Sequence, residues 1–213
     1  MTTLYFVRHG QSVSNLEKQF AGSLDTLLTD KGLAQAESTA RFLANVPFKK
    51  VYASDLSRAY ATGDAIAKRH NTPIEASPRL REIFAGEWEG KLYSQLEEEY
   101  ADSYAIWRHR IGDAKCPGGE SVADLQSRIC AMVEEIVSRH PGDTVCIATH
   151  ATPIRVMECI WTDTPLDLMH TIPWVSNASV TIVEYDENGV GRLVHRDLHD
   201  HLGDLHTVLA KNV

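Results

Sequence analysis

With 213 residues, 43% of them hydrophobic and 23% charged, the chain can bury an ample core and fits a single domain carrying an inserted arm. A formal net charge of −8 and a pI of about 5.7 argue against a broad basic footprint for nucleic acid or an anionic membrane. The cysteines Cys116, Cys130, Cys146 and Cys159 form no CxxC pair, no stretch approaches the ~20 apolar residues of a membrane helix, and the N-terminus enters a strand instead of a signal peptide, so a reducing cytoplasm is the expected setting.

In chain order, Thr3–Arg8 reads as a short buried strand, followed by a polar loop. Thr29 caps a helix with Leu33, Ala36, Ala40 and Leu43 on its apolar face. Val51–Ala53 is a second strand, Ser57 opens a helix ending near His70, and Pro73–Ala76 is another brief strand. Residues 84–120 carry scattered aromatics, an acidic run at Glu97–Glu99, the basic sequence WRHR from Trp107 and the turn-rich PGGES from Pro117; they read as an arm or lid of helices and loops. Ser121 and Asp124 form a capping box for a helix that faces inward through Val122, Leu125, Ile129, Met132 or Val133, and Ile136. After a turn at Pro141–Asp143 comes the strand Thr144–Thr149, then a helix with Thr152 as cap and Pro153 as first residue, reaching Trp161. Ser179–Asp186 and Gly191–Arg196 flank a Glu-Asn-Gly turn and predict a hairpin at the sheet margin. Strands alternating with helices predict a three-layer α/β/α fold with a mainly parallel central sheet plus an antiparallel edge strand.

Ligands of such sheets bind beyond the carboxyl ends of the strands. Three stretches put reactive side chains there: VRHG with Arg8 and His9, VYASDLSRA with Arg58, and VCIATHATPIR with His150 before a helix N-terminus. If these strands are neighbours, two histidines and two arginines converge on one rim, where helix N–H groups also favour an anion. Phosphate suits the set, because a guanidinium donates paired hydrogen bonds to phosphoryl oxygens and a neutral imidazole is a nucleophile. Gly10 lets the backbone turn and approach a ligand closely. Each of these residues alone has an ordinary structural reading; their combination points to a site.

The sequence resembles the histidine phosphatase superfamily, the phosphoglycerate-mutase-like fold. The resemblance rests on FVRHGQSVSN, LDTLLTDKGLAQA, YASDLSRAYATGDAIA, LREIFAGEWEG, PGGES and THATPIR, in that order between Leu4 and Arg155. It implies His9 as the transiently phosphorylated nucleophile, with Arg8, Arg58 and His150 on the phosphoryl oxygens. Gln11, Ser12 and Asn15 are candidates lining the phosphate loop, the Ala151 N–H is a donor, and Glu82 is the proton donor. Ala151 departs from the glycine usual after the second histidine, a change that bears on local geometry and leaves the reaction class intact. No cofactor and no metal are implied; the partner is a small phosphorylated molecule, with neither nucleic acid nor membrane, and the oligomeric state is left open between monomer and homodimer.

The compact GEWEGKLYSQLEEEY lacks the longer basic arm of mutases, so hydrolysis of a phosphomonoester is the favoured reading over phosphoryl transfer between hydroxyls of one substrate. A non-catalytic phospholigand binder is a third reading, disfavoured because nucleophile and acid are both retained. Arg108, His109 and Arg110 offer distal anion contacts or a solvated helix face, while Trp88 and Trp107 read as packing residues first and as walls of the substrate pocket second. HRDLHDHLGDLH, from His195 to His206, reads as an exposed His-rich terminus in preference to a zinc site, with some residues folding back toward the pocket rim.

Overall fold

Side-chain alternation organises the sheet. In the computed structural model, which describes residues 1–207, the first strand, β1 (Thr2–Arg8), sends Leu4 and Phe6 into one hydrophobic cluster and Val7 into another, as the two-residue period of a strand requires. The elements that follow are α1 (Val13–Glu17), α2 (Asp30–Phe42), β2 (Phe48–Ser54), α3 (Ser57–Arg69) and β3 (Ile74–Ser77). Next come α4 (Tyr93–Glu99), α5 (Ala101–His109), α6 (Val122–Arg139), β4 (Thr144–Thr149), α7 (Ala151–Trp161), β5 (Val180–Tyr185) and β6 (Gly191–Leu198). The sheet order is β3-β2-β4-β1-β5-β6. β3, β2, β4 and β1 are mutually parallel, and the β5–β6 hairpin forms the antiparallel margin, with β5 running against the other strands.

The smaller cluster packs Val7, Val51, Cys146 and Val180 against Ala40, Leu43, Ile66 and Ala67, so α2 and α3 cover one face. On the other face, Leu4, Phe6, Val145 and Ile147 meet Ile129, Val133 and Ile136 of α6 and Ile154 and Met157 of α7. Trp88, Leu96, Tyr104, Trp107 and Ile111 from residues 84–120 join this larger cluster. Both Met132 and Val133 turn inward on α6, whose Ser121–Asp124 capping box forms.

Several local expectations need correction. The polar loop after β1 contains α1, because Ser12 and Asn15 make a reciprocal capping box. Leu33 is 53% exposed; the inward stripe of α2 is instead Gly32, Gln35, Ala36, Thr39 and Ala40. The reason is a close backbone contact, since a Cβ on Gly10 would lie 2.3 Å from the Gly32 carbonyl oxygen and one on Gly32 2.0 Å from that of Gln11. Gly10 therefore serves the packing of the loop on α2, where the sequence suggested close approach to a ligand. α7 begins two residues earlier than expected: His150 is its N-cap, and Thr152 and Pro153 lie within its first turn, where a missing N–H costs nothing. The His-rich stretch is not an exposed tail. It continues β6 into a 3-10 turn at Asp200–Leu205, where His201 stacks on Phe42 of α2 at 4.5 Å and bonds Thr39 Oγ1 at 2.9 Å. Among the described residues, no group of three or more His, Cys, Asp or Glu side chains is placed to hold a metal ion.

Candidate active site

Register brings the two histidines together. Arg8 pairs with Thr149 across the parallel β1–β4 ladder, so the next residue on each strand, His9 and His150, leaves the sheet side by side. Their ring centroids are 5.1 Å apart. β2 flanks β4 on its other side, with Ala53 opposite Ala148, which sets Ser54 beside His150 and starts α3 three residues later. Arg58, in the first turn of α3, is 1% exposed.

Hydrogen-bond partners fix the state of each ring. His9 Nδ1 lies 2.7 Å from the Gly10 carbonyl oxygen, which only accepts, so Nδ1 carries the proton and Nε2 has the free lone pair. His150 Nε2 lies 2.8 Å from Ser54 Oγ, which already accepts the Leu56 N–H. With the serine hydrogen directed to Nε2, the proton of a neutral His150 sits on Nδ1, the nitrogen that has no protein partner. Burial, and then the positive charges of Arg58 and Arg8, hold the His9 imidazole well below its ordinary pKa; burial and Arg58 do the same for His150. Both rings are neutral at pH 7.

The guanidiniums are anchored from behind. Arg58 donates to the carbonyls of Leu24 and Gly22 at 2.8 and 2.7 Å, and Arg8 donates to that of Val175. Burial lowers the Arg58 pKa to about 10, which leaves it charged at neutral pH. Arg8 Nε, Arg58 Nε and His150 Nδ1 are buried nitrogens with no protein partner, and Arg8 and Arg58 stand with His9 on one cavity wall, where fixed positive charge suits an anion with several oxygens.

Glu82 approaches from the β3–α4 connection. Its Oε1 accepts the Ile83 N–H at 2.8 Å and its Oε2 the Thr152 N–H of α7 at 3.2 Å. Arg128 steadies this loop by donating to the carbonyls of Arg79 and Arg81, while Glu120 pairs with Arg128 and accepts the Phe84 N–H. The PGGES turn thus supports the acid's loop; a Cβ on its Gly119 would lie 2.2 Å from the Phe84 carbonyl oxygen.

Arg8, His9, Asn15, Arg58, Glu82 and Ala151 line one cavity of about 300 Å³. His150 is fully buried beside His9 and is not itself on the cavity wall. Gln11 and Ser12 are not on the cavity wall. The Gln11 amide oxygen accepts the Thr29 hydroxyl at 3.0 Å, and the Ser12 hydroxyl caps α1. Arg108 pairs with Glu97 and Arg110 with Asp113, away from the wall, so WRHR supplies no distal anion contact. Trp88 is wholly buried packing, whereas Trp107 lines the cavity.

Sequence reasoning missed several wall residues: Phe20, Tyr93, Trp174, Asn177 and Thr207. Asn177 Nδ2 ties the His9 carbonyl to Asn15 Oδ1 at 3.2 and 3.1 Å. Thr207 reaches the wall because Gln35 Nε2 of α2 donates to Leu205 O and Thr207 Oγ1. Ser54 was within reach of sequence reasoning, since it follows a predicted strand at the same level as His9 and His150.

A family model described as the histidine phosphatase superfamily (branch 1) matches residues 4–197. Phosphoserine phosphatase 1 of Hydrogenobacter thermophilus is 29% identical over 213 residues, covering 100% of both chains. The adenosylcobalamin/alpha-ribazole phosphatase of Salmonella typhimurium is 33% identical over 143 residues, 67% of this chain and 69% of that one. Among solved structures, Bacillus stearothermophilus YhfR superposes with a TM-score of 0.91 at 32% identity, covering 95% of this chain and 100% of its own.

Proposed function

The chain belongs to the histidine phosphatase superfamily, and from that premise we propose that it hydrolyses small phosphomonoesters through a phosphohistidine at His9. The observation that carries this reading is the convergence of Arg8, Arg58 and Glu82 on one cavity with a neutral His9 imidazole whose Nε2 is free. In the first step, His9 Nε2 bonds to phosphorus as the ester P–O bond breaks, and the departing alkoxide takes the proton of the Glu82 carboxyl group. In the second, water attacks the phosphohistidine, Glu82 takes a proton from that water, and inorganic phosphate leaves with Nε2 restored.

Charge spread over the transferring phosphoryl oxygens is met by donors already in place, which is the main source of rate in such reactions. Arg8, Arg58 and the Ala151 N–H at the start of α7 act on those oxygens, with His150 Nδ1–H as a neutral donor. Asn15 contributes its amide N–H group, because its Oδ1 is occupied by Ser12 N–H and Asn177. Ser54 is a positioning residue that sets the His150 tautomer. The arginines supply the charge neutralisation that phosphoryl transfer needs, so the reading expects turnover in the presence of a chelator.

Transfer between two hydroxyls of a doubly anionic substrate is the weaker reading, since among the described residues the cavity wall beyond the phosphate cradle carries one cation, Lys18. A non-catalytic phospholigand binder would not need Glu82 and His9 in one cavity. Phosphate release from an aryl phosphate with chelator present, together with an acid-labile phosphoenzyme lost in His9→Ala, tests the proposal. Turnover without a trapped phosphoenzyme would overturn the phosphohistidine.

A further inference from the structure

Past the phosphate cradle the cavity changes character. Its wall there is Phe20, Ile83, Tyr93, Trp107 and Trp174. The rings brace one another: Phe20 meets Trp107 edge-on at 5.0 Å, and Trp107 and Trp174 lie nearly parallel with centroids 6.4 Å apart. That spacing leaves no gap for a third ring between the indoles, so the pair borders the cavity together as one apolar wall.

Trp174 is fixed from behind. The Arg155 guanidinium, 4% exposed, lies 3.9 Å from the Trp174 ring centroid and donates to the carbonyls of Met169 and Ile172 at 2.9 and 2.6 Å. An indole clamped in this way needs no ordering when a ligand arrives, which favours binding. The Tyr93 hydroxyl brings polarity without charge.

We propose that this face is a slot for a flat apolar group, and that the preferred substrates are phosphomonoesters whose alcohol carries an aromatic ring. The proposal rests on the phosphatase reading for its phosphate end. Charge points the same way. Among the described residues, the wall outside the cradle offers one exposed ammonium, Lys18, and no guanidinium fork to receive a carboxylate, so an amino-acid or hydroxy-acid phosphate would press its carboxylate against rings and lose hydration. A cavity of about 300 Å³ takes a phosphoryl group and a single ring system.

The test compares kcat/KM for 2-phenylethyl phosphate, ethyl phosphate and O-phosphoserine; the two simple alcohols are of similar acidity, so the leaving group does not bias the first pair. The arylalkyl ester is expected to be preferred over ethyl phosphate by about tenfold or more, chiefly through KM, and Trp174→Ala to shrink that preference by about tenfold. Equal kcat/KM for the first pair, preference for phosphoserine, or a preference untouched by Trp174→Ala would overturn the slot. Titrating the wild-type protein with 2-phenylethylphosphonate and ethylphosphonate, read by indole fluorescence, needs neither turnover nor the variant. Tighter arylalkyl binding there upholds the slot even if hydrolysis fails, and equal binding removes it even if hydrolysis succeeds.

Discussion

The phosphate cradle takes its groups from strand ends and first helical turns: Arg8 as the last residue of β1 and His9 after it, Arg58 in α3, His150 and Ala151 where β4 meets α7. The aromatic wall is assembled from Phe20 after α1, Tyr93 in α4, Trp107 in α5 and Trp174 before β5, segments with no shared register. The cradle is dictated by the sheet, and its position follows from parallel pairing. The wall is dictated by side-chain packing, so it can change without disturbing the reaction. One scaffold can thus keep one chemistry and vary what it acts upon.

That division predicts a wide spread in mutational effects. His9→Ala removes the attacking nitrogen and should lower kcat on the order of 10⁵-fold or more for every substrate, with phosphate release as the measurement. Retained turnover would mean that the cradle does not hold the nucleophile. Glu82→Gln should cost roughly 10²- to 10⁴-fold on alkyl phosphates, whose alkoxides need a proton, and far less on nitrophenyl phosphate. Equal losses across leaving groups would reassign Glu82 to positioning.

Ser54→Ala removes the hydroxyl that holds His150 in one tautomer, and on the order of tenfold in kcat should follow. Ser54→Thr keeps the hydroxyl and should recover most of it. NMR of the imidazole nitrogens separates this from mere loosening, because only a positioning role changes which nitrogen of His150 is protonated.

A smaller effect concerns pH. Folding lowers the His9 and His150 pKa values below the unfolded value near 6.5. Between the folded and unfolded values the unfolded chain binds more protons, so this stabilisation is complete above about pH 6.5 and drains away as pH falls. Glu158 acts oppositely: burial raises it to about 7, so its contribution is present below its unfolded value near 4.5 and lost as pH rises through 7. Comparing denaturation midpoints of wild type and His9→Gln from pH 7 to 5 should show a shallower acid loss in the variant. Parallel curves would place a charged imidazole in the folded cradle.

Legibility follows the same division. Arg8, His9 and His150 stood out because polar, cation-capable side chains end apolar runs, a pattern that a core strand does not need, and Arg58 because it opens the helix after the second strand. Trp107 and Phe20 are residue types that cores use everywhere, and nothing local distinguishes one that faces a cavity from Trp88, which does not. The exposure of Leu33 was hidden because helical periodicity favoured large apolar residues, whereas the face α2 presents to the β1 loop is selected for smallness at Gly32. The return of the C-terminal stretch to the rim depends on Gln35 and Thr39, polar residues bonding a segment far away in sequence. No window of sequence contains both partners.

The smallest effect is expected where the motif most invites a large one. Gln11 follows Arg-His-Gly directly and looks placed for phosphate, yet its amide oxygen accepts the Thr29 hydroxyl and its backbone N–H donates to Gln35 Oε1 at 2.7 Å. Gln11→Ala leaves the backbone bond intact, and Thr29 Oγ1 keeps the Gln11 carbonyl as a second acceptor at 3.3 Å. The loss should therefore be one side-chain hydrogen bond, about 1 kcal/mol of stability. Because this side chain touches the α2 cap and not the cavity, kcat/KM should stay within about twofold of wild type, well short of what a lost transition-state donor costs. A fall of a hundredfold with the denaturation midpoint unmoved would mean that Gln11 swings into the cavity when substrate binds, and that the cradle extends one residue further along the motif than its empty geometry records.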